Sequence, residues 1–301
     1  MYTVHCVRRM IDTAVIPSAG YGTRLLPITK VIAKAVLPLG TIPILSEVLW
    51  EAYNAGLEKA IVVTHWREDT IMALIEREAI ELEKWLMSRG RGDLVKVMRN
   101  IVPPMEVIFV RQEKLDGLGG AILRAEKHID GPFCVLLSDN IIFEEKCGSL
   151  MRRMIRVFTR MKPETLLSVS RVPQDRVSNF GVIGVREAYS IEGSKVYVVG
   201  DIIEKPKPSE APSSMAVVGR YVFSEEIFDY LKRAPLVGME IDETQAFKAQ
   251  ILDGKDVLAL DIGDLKWFDV GKIDGYFKAF VLNVARREGL EHVRKWLGEI
   301  L

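Results

Sequence analysis

Cysteine and histidine are scarce in this 301-residue chain: three of the first, Cys6, Cys134 and Cys147, and four scattered copies of the second. An odd, unclustered set of thiols excludes a disulfide framework, and without a Cys/His cluster there is no structural zinc site. No Ser/His/Asp or Cys/His grouping has a supporting context, which removes the commonest nucleophilic enzymes. His65, at the end of the run Val63-Thr64-His65, reads as structural. Charge of one sign is also missing. Lys and Arg number 41, as do Asp and Glu, so no global field draws in nucleic acid or an anionic membrane. No apolar run approaches the roughly 18 residues of a spanning helix, and the first residues lack the apolar core and cleavage site of a secretory signal. A cytoplasmic protein with reduced thiols is expected.

What the chain does contain is 49% apolar and 27% charged residues, enough for one large α/β domain or two small ones sharing a core. Its organising stretch is Ala14 to Leu37. Ala14-Val15-Ile16, apolar without alternation, predicts a buried parallel strand, after which Gly20 and Gly22 let the backbone turn sharply against a ligand. Free N–H groups in such a turn face an anion, Arg24 can fork two of its oxygens, and Lys34 can reach the same group as a point charge. The spacing is not that of a P-loop, since no lysine follows either glycine, nor of a dinucleotide fingerprint, whose third glycine is Leu25 here. A tight turn without a ligand is the bland alternative; Thr23-Arg24, Pro27, Lys34 and Leu37-Pro38 favour phosphate.

The run Gly20-Tyr21-Gly22-Thr23-Arg24-Leu25-Leu26-Pro27, with Lys34 and Leu37-Pro38, resembles the signature of the sugar-1-phosphate nucleotidylyltransferases, and within them the UTP:glucose-1-phosphate uridylyltransferase family. The resemblance extends from Thr13 to the last helix. It implies that Gly20, Gly22 and Arg24, with Ala19 and Thr23 of the same loop, hold a nucleoside triphosphate, and that Lys34 contacts its phosphates.

Further along, Ile44 to Leu57 has helical spacing closed by Gly56, and Lys59 to Thr64 is a strand. Strand, helix, strand makes a right-handed βαβ unit, which sets the glycine loop at the carboxyl edge of a parallel sheet. A charged helix from Glu68 to Leu86, a strand Glu106 to Gln112, and a second glycine-rich strand-to-helix loop follow. The resemblance gives Gln112 and Gly117 the nucleobase. Phe133 to Leu137 is a buried strand ending in Ser138-Asp139-Asn140; a carboxylate beside the phosphates needs a cation between them, so Asp139 reads as a magnesium ligand, a helix N-cap being the alternative.

Beyond about Glu144 the expected order is a basic helix (150–161), a strand (166–171), then strands at 177–183, 195–205 and 214–223. Glu204-Lys205-Pro206 offers an acceptor for hydroxyls and a cation for phosphate. The resemblance assigns Glu204 to sugar hydroxyls, Lys205 to the sugar phosphate, Gly181 to the sugar, and the second metal aspartate to Asp269; Gly219-Arg220-Tyr221 repeats a family sequence on the sugar side. Asp261 and Asp264 are expected to be solvated, and 272–301 helical.

The implied fold is α/β, a Rossmann-like and mostly parallel central sheet flanked by helices, with an added α+β sugar-binding part and a C-terminal helical segment. The expected division is a loose arm (1–12) with Met1 or Met10 as start, a nucleotide-binding half (13–143), a sugar-phosphate half sharing the core (144–270) and C-terminal helices (271–301). Arg24, Lys34 and Lys205 are the implied catalytic cations, Mg2+ the cofactor, a nucleoside triphosphate and a sugar-1-phosphate the partners, and a dimer or tetramer the assembly. Departures are Ala35 for a glutamate, Asp116 for a lysine, Met239-Glu240-Ile241-Asp242-Glu243-Thr244-Gln245 for the usual D-E-I-Q-L-T-D, and Gly271-Lys272-Ile273 for G-N-K. They leave open a thymidylyl- or guanylyltransferase, and a non-catalytic sugar-nucleotide-binding regulator is the alternative outside the enzymes.

Overall fold

The computed structural model describes residues 11–75 and 80–300. Cys6, the Met10 start and the arm before residue 11 lie outside the described residues, as does the middle of the expected helix from Glu68 to Leu86. Residues 11 and 12 are not loose: Ile11 packs on the core, and the Asp12 carbonyl accepts hydrogen bonds from the Glu58 and Lys59 amides at 2.8 and 3.0 Å.

Nine strands form one sheet: β1 (Thr13–Pro17), β2 (Lys59–Thr64), β3 (Glu106–Arg111), β4 (Phe133–Leu136), β5 (Thr165–Arg171), β6 (Gly181–Ile191), β7 (Ser194–Glu204), β8 (Met215–Phe223) and β9 (Val257–Asp261), in the spatial order β3-β2-β1-β4-β8-β5-β9-β7-β6. β3, β2, β1 and β4 are parallel neighbours, with Val15 opposite Ile61 and Val135. The loops after these four strands therefore all leave at one edge. β8 then enters antiparallel between β4 and β5, so the sheet runs without a break into the second half of the chain. The antiparallel hairpin β6-β7 closes back on β8 through the pair Ala216 and Val182, which carries Gly181 and Glu204, themselves paired in register, toward the site.

Strand residues alternate faces, and both faces are covered. Ala14 and Ile16 pack into one buried cluster, with the helices Ile44–Ala55 and Ser149–Met161; Val15 packs into the other, with Gly117–Ala125, Ile227–Arg233 and Glu243–Leu252. A β-strand covered on both faces cannot show polar alternation, which is why β1, β2 and β4 read as continuous apolar runs.

Several boundaries differ from the sequence expectation. A separate helix, Gly92–Arg99, follows Ile80–Ser88; Gly90 and Gly92 interrupt a helical region there without ending it. Residues 174–179 form a 3-10 helix, and the strand begins at Gly181. The C-terminal segment is two helices, Ile273–Glu288 and Leu290–Ile300, separated at Gly289 with φ +92°.

Candidate active site

Two hydrogen bonds fasten the glycine loop as it leaves β1. Gly22 takes φ +67°, and a Cβ on it would lie 2.9 Å from Thr29 Cγ2. The buried Thr29 hydroxyl donates to the Gly22 carbonyl at 2.9 Å, and the Trp66 indole donates to the Thr29 carbonyl at 3.0 Å, so the loop is fastened to the end of β2. Ala19, Gly20 and Lys34 line a cavity of about 340 Å³ together with Gln112, Gly117, Leu137 and Asp139. Gly22 and Thr23 do not line it; they shape the turn that presents Arg24.

At the far end of this cavity the buried Gln112 gives its two amide hydrogens to Asp116 Oδ1 (2.8 Å) and the Gly117 carbonyl (3.0 Å), leaving its side-chain Oε1, which has no hydrogen-bond donor among the described residues, to meet a ligand. Asp116, the departure from the family pattern, also accepts from Arg124 at 2.8 Å, and its carbonyl accepts from the Ile241 amide at 2.7 Å. The carboxylate thus braces the second glycine loop. Gly117 has φ +84°, and a Cβ there would stand 2.8 Å from Glu240 Cβ. Gly117→Ala is accordingly expected to lose about 1 to 3 kcal/mol, since the left-handed backbone and the clash both oppose it. A thermal midpoint equal to that of the parent would show that the 236–241 hairpin simply yields.

A second cavity, of about 320 Å³, is lined by Arg24, Asp139, Asn140, Gly181, Glu204, Lys205, Gly219, Tyr221, Glu243 and Asp269, among others. Leu137 and Asp139 line both cavities, so the two meet at the end of β4. A short antiparallel ribbon, Asn140–Phe143 with Lys266–Asp269, sets Asp269 opposite Asn140, and the Val270 amide donates to the Asp139 carbonyl at 2.7 Å. Asp139 and Asp269, 130 positions apart, are thereby neighbours at one edge of the sheet. No helix starts after Asp139, which removes the N-cap alternative.

Each carboxylate holds a cation. Lys34 Nζ is 2.8 Å from Asp139 Oδ2, and Arg24 Nη1 is 3.3 Å from Asp269 Oδ2, with Lys272 at 3.8 Å from the same oxygen. Burial works to raise the Asp139 carboxyl; Lys34 above all, then Arg24 and Asn140, outweigh it and hold the group below its ordinary value. Arg24 therefore faces Asp269 and the second cavity, where Gly181, Glu204 and Lys205 also lie. The Lys205 ammonium pairs with Glu204 at 2.8 Å, and that bond raises its pKa against the opposing pull of burial. Lys205 itself has φ +45°, a left-handed backbone unusual outside glycine.

Two carboxylates lining one cavity, each drawing in a cation, are a hard-oxygen donor set that suits magnesium, which takes one or two carboxylates and keeps its waters. Among the described residues no group of three or more His, Cys, Asp or Glu comes together as a denser metal site.

Some neighbours of the site have roles that the sequence did not give, Arg220 being marked there only within the run Gly219-Arg220-Tyr221. Arg220, fully buried, grips Glu51 through two hydrogen bonds of 2.7 and 2.6 Å and donates to the carbonyls of Leu137 (3.1 Å) and Asn140 (2.8 Å), clamping the turn that carries Asp139. Glu51 sits on a helix remote in sequence, so no local signal marks the pair. Glu243 enters the second cavity from the start of its helix; its signal is the glutamate standing where the usual run has leucine. Asp261, expected to be solvated, instead accepts from the Tyr197 hydroxyl at 3.0 Å and the Gly263 amide at 2.9 Å. His65 is structural, its Nδ1 lying 2.8 Å from the Gln112 carbonyl. Cys134 and Cys147 are free thiols, and burial pushes both up, Cys147 to about 12.

Residues 13–285 match the family model described as nucleotidyl transferase. The chain is 36% identical over 275 residues, 91% of its length and 89% of the other, to a UTP--glucose-1-phosphate uridylyltransferase of Bacillus subtilis. It resembles a UTP-bound UGPase from Acinetobacter baumannii with a TM-score of 0.86 at 33% identity, over 96% of this chain and 99% of that one. A UDP-glucose pyrophosphorylase complexed with UDP-glucose gives a TM-score of 0.79 at 32% identity, over 92% and 100%.

Proposed function

Since the chain belongs to the nucleotidyl transferase family, we propose that it transfers the uridylyl group of UTP to glucose-1-phosphate, giving UDP-glucose and pyrophosphate. The observation that carries this reading is the meeting of two cavities at Asp139, one bordered by the glycine loop, Gln112 and Gly117, the other by Gly181, Glu204 and Lys205. A nucleotide in the first and a sugar phosphate in the second bring their phosphates together at the shared wall. The relatives' names and the UTP- and UDP-glucose-bound neighbours support the same substrates.

In this reading an oxygen of the sugar phosphate attacks the α-phosphorus of UTP, and the P–O bond to pyrophosphate breaks. The attacking oxygen is already anionic near neutral pH, so no general base is required, and the protein's work is alignment and cancellation of charge. Lys205 turns from Glu204 to the sugar phosphate, which frees Glu204 to accept sugar hydroxyls. Lys34 and Arg24 meet phosphate oxygens on either side of the reacting phosphorus. Asp139 and Asp269 would hold a magnesium ion, which when bound would supply the remaining positive charge. The reading takes residues 13–143 as the nucleotide half and 144–270 as the sugar half, and a cytoplasmic homo-oligomer as the working form, both substrates being charged phosphates that do not cross membranes unaided.

The test is pyrophosphate release over a matrix of nucleoside triphosphates and sugar-1-phosphates. UTP with glucose-1-phosphate is expected to give the highest kcat/KM; preference for dTTP or GTP would replace the base, and no turnover with any pair would favour the regulatory alternative. Lys205→Ala is expected to raise KM for the sugar phosphate on the order of tenfold or more while KM for UTP stays within about twofold, as loss of one charge-assisted hydrogen bond implies. Equal loss for both substrates would refute the division of the site.

A further inference from the structure

The mechanism above has no use for Glu243, yet this carboxyl lines the second cavity alongside Glu204, Lys205, Tyr221 and Thr244. Its position follows from the helix it opens. Asp242 takes an extended backbone and its side chain accepts from the Thr244 amide at 2.8 Å, an N-cap that starts the helix at Glu243 and fixes its first turn against the cavity. Thr244 and Phe247, from the same helix, also line the wall and are themselves buried. Among the described residues no other side chain hydrogen-bonds or pairs with the Glu243 carboxyl; Lys205, the cation at hand, is engaged by Glu204.

Resting on the proposed reaction, we propose that Glu243 is a specificity-determining residue of the sugar end, its carboxylic acid donating a hydrogen bond to a ring hydroxyl of the hexose while Glu204 accepts one. Of the other charged groups lining the cavity, Arg24 pairs with Asp269 and Asp139 with Lys34, so once Lys205 turns to the sugar phosphate Glu204 and Glu243 share a wall without a cation of their own, which disfavours ionising both. One proton retained between them gives a donor and an acceptor, the pair that a sugar ring with adjacent hydroxyls satisfies. Burial, followed by the charges of Asp242 and Glu204, pushes the Glu243 carboxyl up to about 8, so the donor form is the one present at neutral pH. The site is thereby set for neutral hexose phosphates and against sugars bearing a second anion, such as a uronic acid phosphate, whose carboxylate would meet the ionised Glu204. In the usual run leucine stands here, which can fill space but cannot donate.

Isothermal calorimetry of UDP-glucose and of UDP, between pH 6.5 and 9.5, isolates the glucosyl group's share of binding. In Glu243→Leu the UDP-glucose affinity is expected to fall about tenfold, as loss of one hydrogen bond in a closed site implies, with UDP affinity unchanged. Glu243→Gln keeps a donor that cannot ionise, so it should bind near the parent level at pH 7. The parent should lose part of its preference for UDP-glucose over UDP as pH rises through about 8, whereas the Gln variant should hold it. Unaltered preference in the Leu variant, parallel loss of UDP affinity, or the same pH dependence in the Gln variant would each overturn the inference. The calorimetry is read without turnover, so it fails or succeeds separately from the proposed reaction, which the pyrophosphate assay decides.

Discussion

Replacing Arg220 by leucine is expected to cost the fold about 3 to 5 kcal/mol, the penalty for leaving one member of a buried ion pair without its partner. Arg220 is fully buried and Glu51 nearly so. Burial alone would lower the Arg220 pKa, and the Glu51 charge more than restores it, so the guanidinium stays charged inside the protein. Remove the guanidinium and Glu51 loses both of its hydrogen bonds to Arg220, while the carbonyls of Leu137, Gly219 and Asn140 each lose one hydrogen bond. Against a total stability of roughly 5 to 15 kcal/mol this is a large fraction. Urea unfolding should show a lower midpoint with an unchanged slope. The double variant Arg220→Leu, Glu51→Leu should recover much of the stability, because no buried charge remains unpaired. It should not recover turnover, since the Leu137 and Asn140 carbonyls still lack the clamp that holds Asp139. A stable single variant would mean that water reaches Glu51; a double variant with full activity would mean that the clamp is dispensable.

This pair also shows where reading from sequence stops. Gly20, Gly22, Lys34, Asp139, Glu204, Lys205 and Asp269 were legible because each stands in a short run whose local chemistry is unusual: a glycine turn after a buried strand, an acid at a strand end, a Glu-Lys pair fixed by proline. The parallel half of the sheet was legible for the same reason, since strands covered on both faces must be apolar throughout. Arg220 was marked only as part of the family run Gly219-Arg220-Tyr221 on the sugar side, and its clamping role was not legible: its partner lies 169 positions away, and only the sheet places Glu51 beside it. Residues 177–180 read as strand because Val177 and Phe180 are apolar, but tertiary contacts decide there. Val177 is buried in a small cluster on which Phe180 packs, and Phe180 meets Trp267 edge-on at 5.1 Å, arrangements that a 3-10 turn satisfies. The split at Gly289 was missed because the apolar spacing of 277–297 runs across it, and periodicity does not register a change of axis.

The Asp139→Asn and Asp269→Asn variants are each expected to lose turnover on the order of 10³-fold, the scale on which removal of a principal charge-stabilising group acts. Asp139 lines both cavities and Asp269 the second, and the ribbon that pairs Asp269 with Asn140 holds the two aspartates as neighbours. At an effective dielectric of about 20, a phosphate oxygen about 4 Å from one of them would be repelled by on the order of 4 kcal/mol. That cost is tolerable only with positive charge between them. Lys34 and Arg24 supply some of it, each already bound to one carboxylate, and the proposed magnesium would supply the rest. The two contributions can be separated. If the carboxylates hold the metal, the magnesium concentration for half-maximal turnover should rise in both variants; if they serve only to orient Lys34 and Arg24, kcat should fall with that concentration unchanged. Acid unfolding gives an independent check. The folded-state Asp139 pKa lies below the ordinary carboxylate value, so its pairing stabilises the fold above that ordinary value and is lost as pH falls through the depressed one. Asp139→Asn should therefore lose stability at neutral pH and show a shallower decline in that acid window. Either variant retaining full turnover would leave the chemistry to Arg24, Lys34 and Lys205 without a metal at this edge.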